Sequence, residues 1–166
     1  MSFVAILMGS NSDWPVMQST TEVLGALDVE FEVRVTSAHR TPAATMEYVQ
    51  DATQRGCAVF ICAAGMAAHL AGAVAAHTTR PVIGVPIDSG PLSGFDALLS
   101  TVQMPGGIPV ATVAVGKAGA KNAGYLAAQI LGLGDAALAD RVASERAENA
   151  RKVQSQNEQL QEELGR

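Results

Sequence analysis

Charge, cysteine and aromatic rings are all scarce in this sequence, and each shortage excludes something. Only 16% of the 166 residues are charged, the formal net charge is -5, and the basic residues form no cluster. That balance argues against a nucleic-acid or polyanionic membrane partner. The two cysteines, Cys57 and Cys62, lie in one apolar stretch. Five apart on a strand, they would point to opposite faces and could not bridge each other. Buried free thiols in a reducing compartment are therefore expected. No ligand set at metal-binding spacing accompanies them, so no metal is expected. Aromatics make up 4%, and only Trp14 lies near a polar loop, too little to stack a flavin. No apolar run approaches the roughly 20 residues of a membrane-spanning helix. The N-terminal "MSFVAILMGS" has no basic region and runs straight into a strand pattern, so no signal peptide is read there and the expected location is cytoplasmic.

What is present is apolar: 48% of the chain. The length suits one globular domain with a real core. Twelve of the 27 charged residues fall between Asp135 and Arg166. Residues 1–134 thus read as an α/β domain whose strands are covered on both faces, and residues 135–166 as a separate helical tail. Apolar strand runs at 3–9, 57–65, 81–86 and 110–116 alternate with helical spacing at 13–27, 41–55, 67–78, 94–104 and 118–131. The run 29–35 alternates strictly and is expected near a sheet edge. Thr41 followed by Pro42 predicts an N-cap and first-turn proline. Five strands with intervening helices predict a three-layer αβα sandwich with a flavodoxin-like parallel sheet of order 2-1-3-4-5, plus a C-terminal helix.

Ligands of such sheets bind beyond the carboxyl ends of the strands, where the strand order switches. The loops expected there are "GSNSD" (9–13), "SAHRT" (37–41) and "AGMAAHL" (64–70). Ser10, Ser12 and Asp13 sit at a helix entry that suits an anion, although Ser12 or Asp13 can equally serve as a cap. Asp13 suits ribose hydroxyls better than phosphate. Arg40 offers a donor fork for phosphate. His39 carries an imidazole, the side chain suited to moving a proton both ways. His69 and His77 are about 12 Å apart along a helix, so His77 is read as structural if His69 is near the ligand. No Walker A, GxGxxG or Ser-His-Asp pattern is present. The residues by themselves lead to a phosphate-binding α/β enzyme that uses a histidine.

"MGSNSDWPVM", "SAHRTP", "AAHL", "PVIGVP" and "LLSTVQMPGGIPVATVAVGKAGAKNAGYLAAQIL" together resemble the class I N5-carboxyaminoimidazole ribonucleotide mutases of purine (IMP) biosynthesis, the PurE type, from about residue 3 to 131. The resemblance implies conversion of N5-carboxyaminoimidazole ribonucleotide to 4-carboxy-5-aminoimidazole ribonucleotide, by decarboxylation and recarboxylation at C4, without a cofactor. It implies that Ser10, Ser12, Asp13, Ser37 and Arg40 hold the ribose phosphate and that His39 is the proton shuttle. Gly65, Ala67, His69 and Leu70 would close over the base and carboxylate. The chain departs from the family pattern at Met66, in place of glycine, and at Ala71, in place of proline. The rival on the same fold is a direct aminoimidazole ribonucleotide carboxylase using free carbon dioxide, which "SAHRTP" with "AAHL" disfavours. A non-catalytic phosphate-binding module would leave His39 without a use.

The tail from Asp135 has no Gly or Pro before Gly165 and predicts one long helix. Leu138, Val142, Ala150, Val153, Leu160 and Leu164 recur at helical spacing, interrupted by Arg146 and Asn157. A helix this long needs a surface to dock on. The resemblance implies that the surface belongs to a neighbouring subunit of a homo-octamer, and it points to the ATP-dependent carboxyaminoimidazole synthase upstream as a pathway partner.

Overall fold

The computed structural model describes residues 2–165. Strands β1 (Phe3–Met8) and β4 (Val82–Ile87) are buried at every position. Nearly the same holds for β3 (Cys57–Gly65). Parallel strands covered on both faces read as unbroken apolar runs, and these do. With β2 (Phe31–Val35) and β5 (Ala111–Thr112) they form a five-stranded parallel sheet in the order β2-β1-β3-β4-β5. The flavodoxin-like order expected from the sequence is the order found.

Six helices follow in sequence: α1 (Trp14–Ala26), α2 (Pro42–Gln54), α3 (Leu70–Ala75), α4 (Phe95–Val102), α5 (Lys117–Gly132) and α6 (Ala136–Glu163). On one face of the sheet Val4, Ile6, Ile61, Ile83 and Val85 pack against α1, the alanines of α5 and Leu138 of α6. On the other, Ala5, Leu7, Phe60, Cys62 and Val82 pack against Val49 and Ala52 of α2 and Leu70 and Val74 of α3. A fully buried Leu, Ile or Phe contributes about 1.5–3 kcal/mol, so these two layers dominate stability. Small residues let α5 lie close on α1, where the Thr20 hydroxyl donates to the Ala120 carbonyl at 2.7 Å.

Several local expectations give way. Cys57 and Cys62 are buried and free, but both lie in the same layer. The register slips beside β1, pairing Phe3 with Cys57 and Val4 with Val59. The extra residue, Ala58, resets the side-chain alternation. The third helix starts at Leu70 rather than 67 and ends at Ala75. Met66 holds a positive φ of 54°, and His69 is the residue preceding the helix rather than one turn into it. β5 is two residues long instead of seven. The chain leaves the ladder near Ala114, whose carbonyl is pressed against Gly119, where a Cβ would come within 1.6 Å. Thr41 occupies the cap position of α2 but does not cap it; its hydroxyl accepts from the Ser37 N–H at 3.0 Å instead.

β2 is the edge strand, with Val33, Arg34 and Val35 exposed. Glu32 ties it down, accepting from Tyr48 Oη at 2.9 Å and Arg55 Nη2 at 3.0 Å. Arg34 and Glu32 also place charge on the edge, which discourages addition of a foreign strand.

Tail helix α6 spans 28 residues, about 42 Å at 1.5 Å per residue. Asp135 caps it, accepting from the Leu138 N–H at 3.0 Å. Its first turns dock through Leu138, Val142, a Tyr125–Glu145 hydrogen bond and Arg141 Nε donating to the Leu27 carbonyl at 2.9 Å. No described residue beyond Glu145 is buried. The outer half is an arm free of its own domain. No helix among the described residues is long and apolar enough to cross a membrane.

Candidate functional site

The carboxyl ends of β1, β2 and β3 bring the three expected loops together. After β1 the chain makes a single 3-10 turn, Asn11–Asp13, before α1. Ser10 begins the turn and Asp13 closes it: the Asp13 carboxylate accepts from the Ser10 N–H at 3.2 Å. The Ser10 hydroxyl oxygen accepts from the Ser12 N–H at 3.2 Å and from the Ser12 hydroxyl at 2.9 Å. With both acceptances made on Ser10 Oγ, its own proton is left to donate outward. Capping falls to Ser10 and Asp13, while Ser12 donates within the turn. Asp13 is only 4% exposed. Burial raises its pKa, against the lowering effect of hydrogen bonds from Ser10 and Ser12.

The loop after β2 is held by its own hydroxyls. Ser37 Oγ accepts from the Arg40 N–H at 3.1 Å. The Thr41 N–H donates to the Ser37 carbonyl at 2.9 Å, and Thr36 and Thr45 share a hydroxyl contact of 2.7 Å. This bracing fixes His39 and Arg40 side by side and exposed. Arg40 Nη2 reaches back to the Gly9 carbonyl at 3.0 Å, which sets the guanidinium beside the Ser10 turn.

Across from them, the loop after β3 presents His69. His39 Nε2 lies 2.8 Å from His69 Nδ1, the rings meeting edge to face at 4.9 Å. Two neutral imidazoles in this contact need one N–H and one bare nitrogen, so the pair shares a proton position. Ala67 is exposed and Gly65 half-buried, both in this loop, while the Leu70 side chain turns into the core below it. Met66 is 56% exposed on the lip. Its left-handed backbone is one that glycine adopts without strain, in keeping with the glycine of the family pattern. Ala71 is buried in α3.

A fourth loop also meets the site, and the sequence reading passed it over. Ser89, two residues past β4, lies directly over Gly65: a Cβ on Gly65 would fall 1.7 Å from Ser89 Oγ. The signal was available, because a polar "DSG" directly follows a strand neighbouring β3. His77 lies elsewhere, in an open cleft of about 1070 Å³ with Thr53, Arg80 and Pro81 that includes none of the site loops. Among the described residues no group of three His, Cys, Asp or Glu side chains could hold a metal.

The assembled chemistry is a cation and hydroxyl donors for a phosphate, a buried carboxylate beside them, and two histidines in contact. A family model described as AIR carboxylase matches residues 3–152. The N5-carboxyaminoimidazole ribonucleotide mutase of Bacillus subtilis (strain 168) is 55% identical over 150 residues, 90% of this chain and 92% of the relative. The protein of the same name from Mycobacterium tuberculosis (strain CDC 1551 / Oshkosh) is 49% identical over 163 residues, 98% of this chain and 92% of the relative. Among solved structures, Treponema denticola PurE superposes with a TM-score of 0.86 at 32% identity, covering 96% of this chain and 99% of that one.

Proposed function

Because the chain belongs to the AIR carboxylase family, we infer that it converts N5-carboxyaminoimidazole ribonucleotide to 4-carboxy-5-aminoimidazole ribonucleotide in purine biosynthesis. The observation that carries the chemistry is the 2.8 Å contact of His39 with His69 beside the Arg40–Ser10 cluster. Arg40 and the Ser37 and Ser10 hydroxyls hold the ribose phosphate by charge-assisted hydrogen bonds, and Ser12 joins them when its hydroxyl turns from Ser10 Oγ to the phosphate. Asp13 fixes the turn and faces the ribose hydroxyls. Gly65, Ala67, His69 and the Leu70 backbone close over the base and the carboxylate.

His39 gives a proton to N5 as the carbamate N–C bond breaks, and its electron pair passes to nitrogen, releasing carbon dioxide inside the site. C4, enamine-like in the aminoimidazole, then forms the new C–C bond to the trapped carbon dioxide. The C4 proton returns to His39, so protons and electrons balance without ATP, biotin or a metal. His69 Nδ1 occupies the hydrogen-bonding position of His39 Nε2 in the free protein. Substrate must therefore displace His69 or be served by His39 Nδ1. Holding carbon dioxide beside C4 and keeping water out is the remaining task of the loops.

The α/β domain of residues 1–134 carries the catalytic groups, and the 135–166 tail carries assembly. A homo-octamer is supported by two unpartnered surfaces. One is α6 beyond Asn149, which still reaches Tyr125 of its own domain. The other is the outer face of α4, where Phe95 is 69% exposed and Leu99 56%, more apolar surface than a free helix face favours. The enzyme works in the cytoplasm, downstream of the ATP-dependent synthase that makes its carbamate substrate. Purified protein given the N5-carboxylated ribonucleotide, without ATP or bicarbonate, should form the C4-carboxylated product as followed by absorbance. Turnover only of aminoimidazole ribonucleotide, and only at high bicarbonate, would instead identify a direct carboxylase.

A further inference from the structure

Given the mutase reading above, on which this rests, we propose that Ser89 is a further substrate-contacting residue: its hydroxyl donates to the carboxyl group that passes from N5 to C4. β3 and β4 run side by side to their ends, where Gly65 pairs with Ile87. The place where a Cβ of Gly65 would stand lies 1.7 Å from Ser89 Oγ. A serine oxygen thus occupies the position of the missing side chain. The φ of Gly65 is not positive, so it is this close approach, and not a turn, that requires glycine there.

Ala63 packs in the layer that faces α1, and alternation along β3 sets Gly65 on the same side. Ser89 Oγ is therefore on the side of the sheet where the Ser10–Asp13 turn leads into α1. His69 stands opposite, in the loop that leads to α3. The crevice between such loops is where a sheet of this order takes its ligand. Within it the phosphate donors lie toward β1 and β2, since Arg40 reaches the Gly9 carbonyl beside Ser10. β4 is two strands away from β1, about 10 Å at the usual spacing. A ribonucleotide with its phosphate on Arg40 therefore points its imidazole edge toward β3 and β4, and that edge carries N5 and C4.

The Ser10, Ser12 and Ser37 hydroxyls are each tied into their own loops. Among the described residues none engages the hydroxyl of Ser89, which is half-buried and not an orphaned buried group. Its proton is available to a ligand. Met66 covers the adjoining residue: a Cβ on Gly90 would lie 3.5 Å from Met66 Cγ, so a thioether shields the Ser89 turn from water. The carbamate and the product both carry a carboxylate, with neutral carbon dioxide between them. A fixed donor binds the charged forms more strongly than the neutral one. It also stabilises the charge that grows on the oxygens as the C–C bond forms, which favours recapture at C4 over escape. Ser89 forms no covalent bond and keeps its proton; the proton given to N5 and taken from C4 stays with His39.

The test follows the carboxyl carbon. Substrate with carbon-13 in its carbamate is given to the full chain in unlabelled bicarbonate, and the breakdown seen without enzyme is subtracted. The parent should pass the label to C4 and release little aminoimidazole ribonucleotide. Ser89→Ala should melt like the parent, because the hydroxyl has no partner in the protein. It should nevertheless release on the order of tenfold more aminoimidazole ribonucleotide per product formed, the scale of one hydrogen bond, with less label in the product. Ser89→Thr, which keeps the hydroxyl, should return the ratio toward the parental value. A parental ratio in Ser89→Ala, or an equal leak in Ser89→Ala and Ser89→Thr, would overturn the assignment. So would a Ser89→Ala protein that melts well below the parent or consumes no carbamate. A parent that makes no product from the carbamate would instead sink the mutase reading, so the two failures are told apart by the parent alone.

Discussion

Gly65→Ala tests how tightly the site depends on the junction of β3 and β4. A Cβ there would lie 1.7 Å from Ser89 Oγ, 3.0 Å from Ser89 Cβ and 3.3 Å from the Ile87 carbonyl oxygen. A change of Ser89 rotamer relieves the first contact. The other two are fixed to the β4 backbone and its continuation, so the strand ends must part by a few tenths of an ångström. Overpacking of this kind costs about 1–3 kcal/mol. At about 2–4 °C per kcal/mol for a chain of this size, the melting temperature should fall by about 2–12 °C. The moved loop carries His69, and a misplacement approaching 1 Å can cost about 100-fold in rate. Calorimetry and steady-state kinetics on Gly65→Ala, Ser89→Gly and the double variant form a cycle. In the double variant only the 3.3 Å contact remains, so most of the stability should return. If Gly65→Ala melts and turns over like the parent, or if Ser89→Gly restores nothing, the packing argument is wrong.

Other expectations follow from the same geometry. His39→Asn should still bind the ribonucleotide by calorimetry but turn over at least about 100-fold more slowly; a near-normal rate would move the proton shuttle to His69. Arg40→Ala should weaken binding by about 1.5–3 kcal/mol, and a loss of maximal rate at unchanged affinity would contradict its phosphate role. Hydrogen bonding to Arg55 holds the Glu32 pKa below its ordinary 4.5. Its stabilising contribution is therefore present above pH 4.5 and lost as pH falls through the depressed value. Glu32→Gln should be less stable than the parent at pH 7, by under about 1 kcal/mol for so exposed a pair, with urea midpoints that converge in acid. Deleting residues 136–166 should reduce both the assembly size, by light scattering, and turnover; a truncated chain with parental mass scaling and rate would make the tail an appendage.

The strand order was legible because the three central strands are buried on both faces, and such strands announce themselves as unbroken apolar runs. The polar loops stood out against that background. This is why the sequence alone singles out His39, Arg40 and Ser10 as candidates, and why the 2.8 Å meeting of His39 with His69 needed only the loops to be neighbours. What failed was local. Parity along β3 cannot reveal an inserted residue, so the bulge at Ala58 and the shared layer of Cys57 and Cys62 were invisible. Thr41 in the cap position is a good capping residue, but Ser37 competes for its hydroxyl from four residues away. Ser89 was missed because its effect runs through a glycine in another loop, and close backbone approach leaves no pattern in one sequence.

The bulge at Ala58 has a consequence for oxidative stress. It seals the chain's two thiols in one layer of the core, where burial pushes Cys57 up to about 11 and Cys62 higher still. Peroxide attacks thiolates, and at neutral pH this protein offers almost none. The vulnerable sulfur is instead Met66, 56% exposed on the lip of the site. A sulfoxide there would put a polar, chiral group where an apolar side chain now stands beside Gly90. Damage by oxidants would reach the active-site rim before the core, in a form that methionine sulfoxide reductases can reverse.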